Sequence, residues 1–113
     1  MRILVVGAGR VGARVLRQLQ KNPKLTTITA DPNETPYAVQ EGIIDKVDIR
    51  ESLTPLTLDF VVAQSQPDLM ILTRTSEDLG LGMAAGMDIL AEALREELAA
   101  ISDVPVIEVA RTR

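Results

Sequence analysis

Two regimes of apolar spacing alternate along this chain. Ile3-Leu4-Val5-Val6 is an unbroken apolar run, which reads as a strand covered on both faces, as in a parallel sheet. From Arg10 to Asn22 the period turns helical. Val11, Val15 and Leu19 share one face, with Leu16 beside them, and Arg10, Arg14, Arg17 and Lys21 share another. Asn22-Pro23 ends that helix, because the residue before proline disfavours helical geometry. The β-branched stretch Leu25–Ala30 predicts a second strand. Residues 31–36 read as a loop, 36–42 as a short helix capped by Gly42, and Lys46–Ile49 as a brief third strand.

Thr54-Pro55 has the form of a helix N-cap followed by proline at the first helical position. It predicts a helix to Gln66 that buries Leu58, Val61 and Val62. Asp68–Thr73 is apolar in the middle and reads as a central fourth strand. Residues 74–83 form a polar, then glycine-rich, connection. A long helix over 84–101 places Met87, Leu90, Ala91, Leu94, Leu98 and Ile101 on one face, and Val106–Val109 supplies a fifth strand. Strands alternating with helices predict an α/β fold with a parallel sheet between two helical layers, and the 113 residues suit a single domain.

Composition narrows the chemistry. Two aromatic residues, Tyr37 and Phe60, leave the core to aliphatic side chains. The chain lacks cysteine and histidine, which removes thiolate sites, disulfides and the commonest general base and metal ligand. A net charge of −4 offers no electrostatic reason to expect nucleic acid. No apolar run approaches the ~20 residues of a membrane helix, and the opening residues do not read as a signal peptide, so a cytoplasmic location is expected. The serines have no histidine partner, and no pair of carboxylates is set up as an acid/base couple. Catalysis is therefore not expected from this chain alone.

The stretch that carries chemistry is VVGAGRVG, residues 5–12. A G-x-G-x-x-G spacing gains weight when it follows a strand, opens a helix and is followed by an acidic residue some 20 positions on. All three conditions are met, with Asp31 at the end of the second predicted strand. Gly7 would permit the tight turn, Gly9 would let a pyrophosphate approach the backbone, and Gly12 would allow close helix packing. The first N–H groups of the helix, with Ala8, Arg10 and Val11 around them, would face the phosphates. Asp31 would accept hydrogen bonds from ribose hydroxyls, with Pro32 beside it, and a carboxylate there favours NAD over NADP. Thr73 and Arg74, leaving the fourth strand, would border the same ligand.

Across almost its whole length the chain resembles the NAD(P)-binding Rossmann superfamily. Within it, RILVVGAGRVGARVLRQL, ITADPN, PDLMILT and VPVIEVAR resemble the N-terminal lobe of the TrkA/RCK regulators of potassium transport. In that family an arginine often sits inside the glycine motif, as Arg10 does here. Val47-Asp48-Ile49 stands where the family has Gly-Asp-Ala. The resemblance implies a doubly wound five-stranded parallel sheet in the order 3-2-1-4-5. It also implies a ligand such as NAD, NADH or an adenine nucleotide, homodimerisation through the lobe, and a regulatory role beside a larger protein partner.

Two other functions fit the same residues. One is the cofactor-binding part of an NAD-dependent oxidoreductase completed by a partner chain. The other is a dimerising scaffold that has lost its ligand. The Gly80–Gly86 stretch reads as a flexible connection, and the arginine row on the first helix as a solvated face, with Arg10 the exception.

Overall fold

The computed structural model describes residues 1–53, 56–73 and 104–109. Its strands are β1 (Arg2–Val6), β2 (Thr26–Ala30), β3 (Leu69–Thr73) and β4 (Val106–Val109). They form one parallel sheet in the order β2-β1-β3-β4. The helices are α1 (Arg10–Leu19), α2 (Tyr37–Gln40) and α3 (Leu58–Ser65). No described helix is long and apolar enough to cross a membrane.

The uninterrupted apolar run of β1 makes it an interior strand. Leu4 pairs with Ile28 on one side and with Met70 on the other. Because successive side chains of a strand point to opposite faces, the sheet divides the core in two. Leu4, Val6, Ile28, Met70 and Leu72 pack with Leu58 and Val61 of α3. Ile3, Val5 and Ile71 pack with Ala13 and Leu16 of α1 and Ala38 of α2. Leu4 and Val5 are fully buried, which is why neither position has room for a polar residue.

The chain leaves β1 for β2 on one side, then returns to β3 on the other. This reversal places the switch point of the sheet at the C-terminal ends of β1 and β3, where open α/β sheets receive ligands.

Three elements differ from the sequence expectation. The expected third strand, 46–49, is reduced to a single bridge between Ala30 and Ile49. The cause is local. The Asp48 carboxylate accepts the Thr29 N–H at 2.9 Å, and the Asp48 and Ile49 N–H groups both donate to the Thr29 carbonyl. A side chain has replaced the backbone acceptor that a ladder would need. The first helix ends at Leu19, three residues short of Asn22. The Asn22 side chain accepts the Lys24 N–H at 3.0 Å, and this turn competes with a further helical turn. In α3 the helix starts at Leu58 rather than at the expected cap, and Gln66 closes it in a left-handed conformation, φ 46°. Leu58 and Val61 are buried and Val62 packs against them, as the periodicity requires. The expectations made for Thr54-Pro55, Arg74, the 74–83 connection, Gly80–Gly86 and the 84–101 helix lie outside the described residues.

One glycine is required by packing. A Cβ at Gly12 would overlap the carbonyl oxygen of Gly7 and lie 2.7 Å from its carbon, both backbone atoms that a rotamer change cannot move. The helix start is thus seated directly on the turn that precedes it. Gly42 is the contrast, with φ +72° and nothing within 4 Å of an added Cβ. Gly12→Ala is expected to cost about 2–3 kcal/mol through overpacking. Gly42→Ala should cost only about 1 kcal/mol, from left-handed strain. Urea unfolding of the two variants checks this, and equal losses would contradict the close seating of α1.

Candidate functional site

The residues between β1 and α1 form a turn held from three directions. Gly7 has φ 98°, a conformation that glycine adopts without steric cost, and its N–H donates to the Ala30 carbonyl at 2.8 Å. The next residue is tied at both ends. The Ala8 N–H donates to Asp31 Oδ2 at 2.8 Å, and the Ala8 carbonyl accepts the Ala38 N–H at 2.9 Å. Below the turn, the Thr73 hydroxyl donates to the Val6 carbonyl at 2.9 Å. Gly7, Ala8, Gly9, Val11 and Gly12 are all buried, and Ala8 is wholly so.

Asp31 is the residue whose role the sequence only half disclosed. It stands beside the turn, as the spacing predicted. Its carboxylate is 3% exposed and works as a clamp: Oδ2 takes the Ala8 N–H, and Oδ1 takes the Asn33 N–H at 2.8 Å. A charged acceptor on a buried backbone donor is among the stronger hydrogen bonds available to a protein. The clamp joins the end of β2 to the turn after β1. Ala38, absent from the sequence expectations, supplies the third tie; nothing in its residue type could have marked it. Thr73 lies at the end of β3 as expected, with its hydroxyl turned back into the sheet and its methyl group under Gly12. Pro32 is exposed at the rim.

Helix α1 begins without a side-chain cap. Gly9 occupies the N-cap with no side chain to offer, and no acidic residue stands in the first turn. The first intrahelical bond runs from the Ala13 N–H to the Gly9 carbonyl at 2.8 Å. The N–H groups of Gly9, Arg10, Val11 and Gly12 therefore have no acceptor among the described residues. Such orphan donors, with the positive end of the helix dipole behind them, favour an anion. Gly9 itself has φ −73°, which any residue can adopt, so the chain uses its lack of a side chain rather than its flexibility.

Arg10 is the exposed member of the turn. Its guanidinium lies 5.4 Å from the centre of the Tyr37 ring, a cation–π contact that holds the side chain against the start of α2.

Gly7, Ala8, Gly9, Arg10, Val11, Gly12 and Asp31 are thus brought together, with Thr73 underneath and Pro32 at the edge. The whole group lies at the C-terminal ends of β1, β2 and β3. No protein-family model matches the chain, and neither does any curated protein or solved structure.

If Asp31 clamps the turn, Asp31→Ala should destabilise the free chain by about 3 kcal/mol, since it strands two buried or half-buried backbone donors. Asp45 is exposed, so Asp45→Ala should stay within about 0.5 kcal/mol of the parent. Urea midpoints measured without any ligand test this, and a stable Asp31→Ala would remove the clamp from the account.

Proposed function

We propose that this chain binds NAD, NADH or a related adenine nucleotide as a small regulatory or sensing protein. The diphosphate rests on the N–H groups of Gly9, Arg10, Val11 and Gly12, in the turn closed by Gly7 and Ala8. The observation that carries this reading is the tip of α1, which has no side-chain cap, with four N–H groups that have no acceptor among the described residues at the end of an interior parallel strand. A helix tip at a reversal of strand order is where dinucleotide phosphates are received in doubly wound sheets.

The remaining assignments follow from position. Asp31, just after β2, is the motif's ribose acceptor. Its oxygens already take the Ala8 and Asn33 N–H groups, so a ribose hydroxyl would use their remaining lone pairs, and the carboxylate disfavours a 2′-phosphate. Pro32, exposed at the rim, borders the ligand. The sheet is read as a Rossmann-like one in the order 3-2-1-4-5, with residues 46–49 as its outer strand. The Ala30–Ile49 bridge supports that placement. The regulatory role and a homodimer rest on the likeness of VVGAGRVG, ITADPN and PDLMILT to the TrkA/RCK lobe.

Melting curves with NAD, NADH, NADP, ATP, ADP and AMP test the reading. A ligand at 100 times its dissociation constant stabilises by about 2.7 kcal/mol, enough to raise the melting temperature by about ten degrees. NAD and NADH should give the largest shifts and NADP a smaller one. Gly9→Val should still fold, with a lower melting temperature, and lose the response. A parent chain whose melting is unmoved by all six compounds contradicts the proposal.

A further inference from the structure

A second feature of α1 lies apart from its tip. Arg10, Arg14 and Arg17 recur along one flank, spanning about 10 Å of helix axis. All three are exposed, and among the described residues none of their guanidinium groups forms an ion pair or donates a hydrogen bond. Arg50 and Glu34 are paired at 3.4 Å elsewhere, so acidic partners are available to this chain and are not spent here. The N-terminal end of the row is also electrostatically misplaced. Like charges four residues apart on a helix repel, and cations near the N-terminal end oppose the helix dipole. In a chain of net charge −4 the Arg10–Arg14 end of the row runs against both local rules, while Arg17 stands in the last turn, where a cation suits the dipole. Such conflicts concentrate at functional sites.

The flank forms one wall of a groove between α1 and α2. The groove has a volume of about 180 Å³ and is lined by Arg10, Ala13, Arg14, Arg17, Tyr37 and Glu41, among others. Its size selects the occupant. Pockets for drug-sized molecules run to about 300–1,000 Å³, so the groove is small for such a ligand and ample for a phosphate or diphosphate group. Its chemistry selects in the same direction. Guanidinium forks match phosphate oxygens in pairs, and side chains at i and i+3 or i+4 stand close enough for two forks to reach one tetrahedral anion. Tyr37 already holds Arg10 at 5.4 Å, which reduces the ordering cost at that end. Three guanidiniums facing the single carboxylate of Glu41 leave a net charge of +2 in the groove.

We infer that the groove between α1 and α2 is a second anion site, which takes the phosphate or diphosphate group of a small molecule on Arg14 and Arg17, with Arg10 at its rim. This site does not depend on a nucleotide at the helix tip.

Inorganic pyrophosphate is the probe, titrated into the full ¹⁵N-labelled chain. The Nε–H signals of Arg14 and Arg17 should shift and saturate, separately from the backbone amides of residues 9–12. The double variant Arg14→Gln/Arg17→Gln should weaken the binding read at the groove by about tenfold or more, the effect of losing charge-assisted contacts. The Arg14→Lys/Arg17→Lys variant should recover it only in part. Without ligand, the glutamine variant should melt no lower than the parent, because it relieves repulsion. Three results would overturn the inference. One is the absence of saturable shifts at these arginines, or shifts that persist with unchanged affinity in the glutamine variant. Another is a lower melting temperature for that variant, which would make the row structural. The third is tighter binding of a glutamate-rich peptide than of pyrophosphate on the same signals, which would make the flank a protein-docking surface.

Discussion

A buried carboxylate holding one backbone N–H is the contact on which the site depends. Asp31 Oδ2 accepts from Ala8, while the Gly7 N–H is taken by Ala30. Together these bonds extend the β1–β2 pairing past the last residue of β1 and force the chain to turn there. Gly7 makes the turn possible through its positive φ, and Gly12 lets α1 begin directly on top of it. Without the clamp, the buried Ala8 N–H would lose its acceptor and the turn would be left to the bonds from Ala30 and Ala38. With it, α1 begins at the C-terminal end of an interior strand with its first N–H groups uncapped. Buried polar contacts of this kind serve position at least as much as stability.

The same helix carries two departures from what a stable isolated helix would choose. Its N-cap has no side chain, although Ser, Thr, Asp or Asn there would add stability. Its flank carries Arg10, Arg14 and Arg17 at spacings of four and three, none of them in an ion pair among the described residues, with Arg10 at the positive end of the dipole. Both are small costs for a chain whose core is otherwise consistent. The two faces of the sheet are packed with aliphatic residues in strict alternation, and the apolar face of α1 buries Val11, Ala13 and Leu16. An anion would offset both costs, so the proposals for the tip and for the flank of α1 call on the same class of ligand chemistry.

Much of this was readable from residue order. The continuous run Ile3–Val6 could only be an interior strand. The alternation of strand and helix periods implied a parallel sheet, and the glycine spacing marked the turn. What residue order could not carry were contacts between distant segments. The Thr73 hydroxyl returns to Val6, 67 positions away, so a residue that looked like a ligand contact is mainly a brace. The Asp31–Ala8 bond exists only because β1 and β2 pair in the register that sets Val6 opposite Ala30. The expected strand at 46–49 shrank to one bridge because the Asp48 side chain competes for the edge of β2, an outcome that propensity alone does not encode. The groove between α1 and α2 likewise needed the fold, since Tyr37 and Glu41 face the arginine row only once α2 is docked.

The central claim is that the first N–H groups of α1 grip a diphosphate. Backbone amide spectra of the full chain during a titration with NAD test it most directly. The account predicts that the amides of Gly9, Arg10, Val11 and Gly12 move together and saturate at one common affinity, with those of Gly7 and Ala8 nearly still. Amides at this tip that stay in place while NAD shifts other parts of the chain, or while nothing shifts at all, would contradict it.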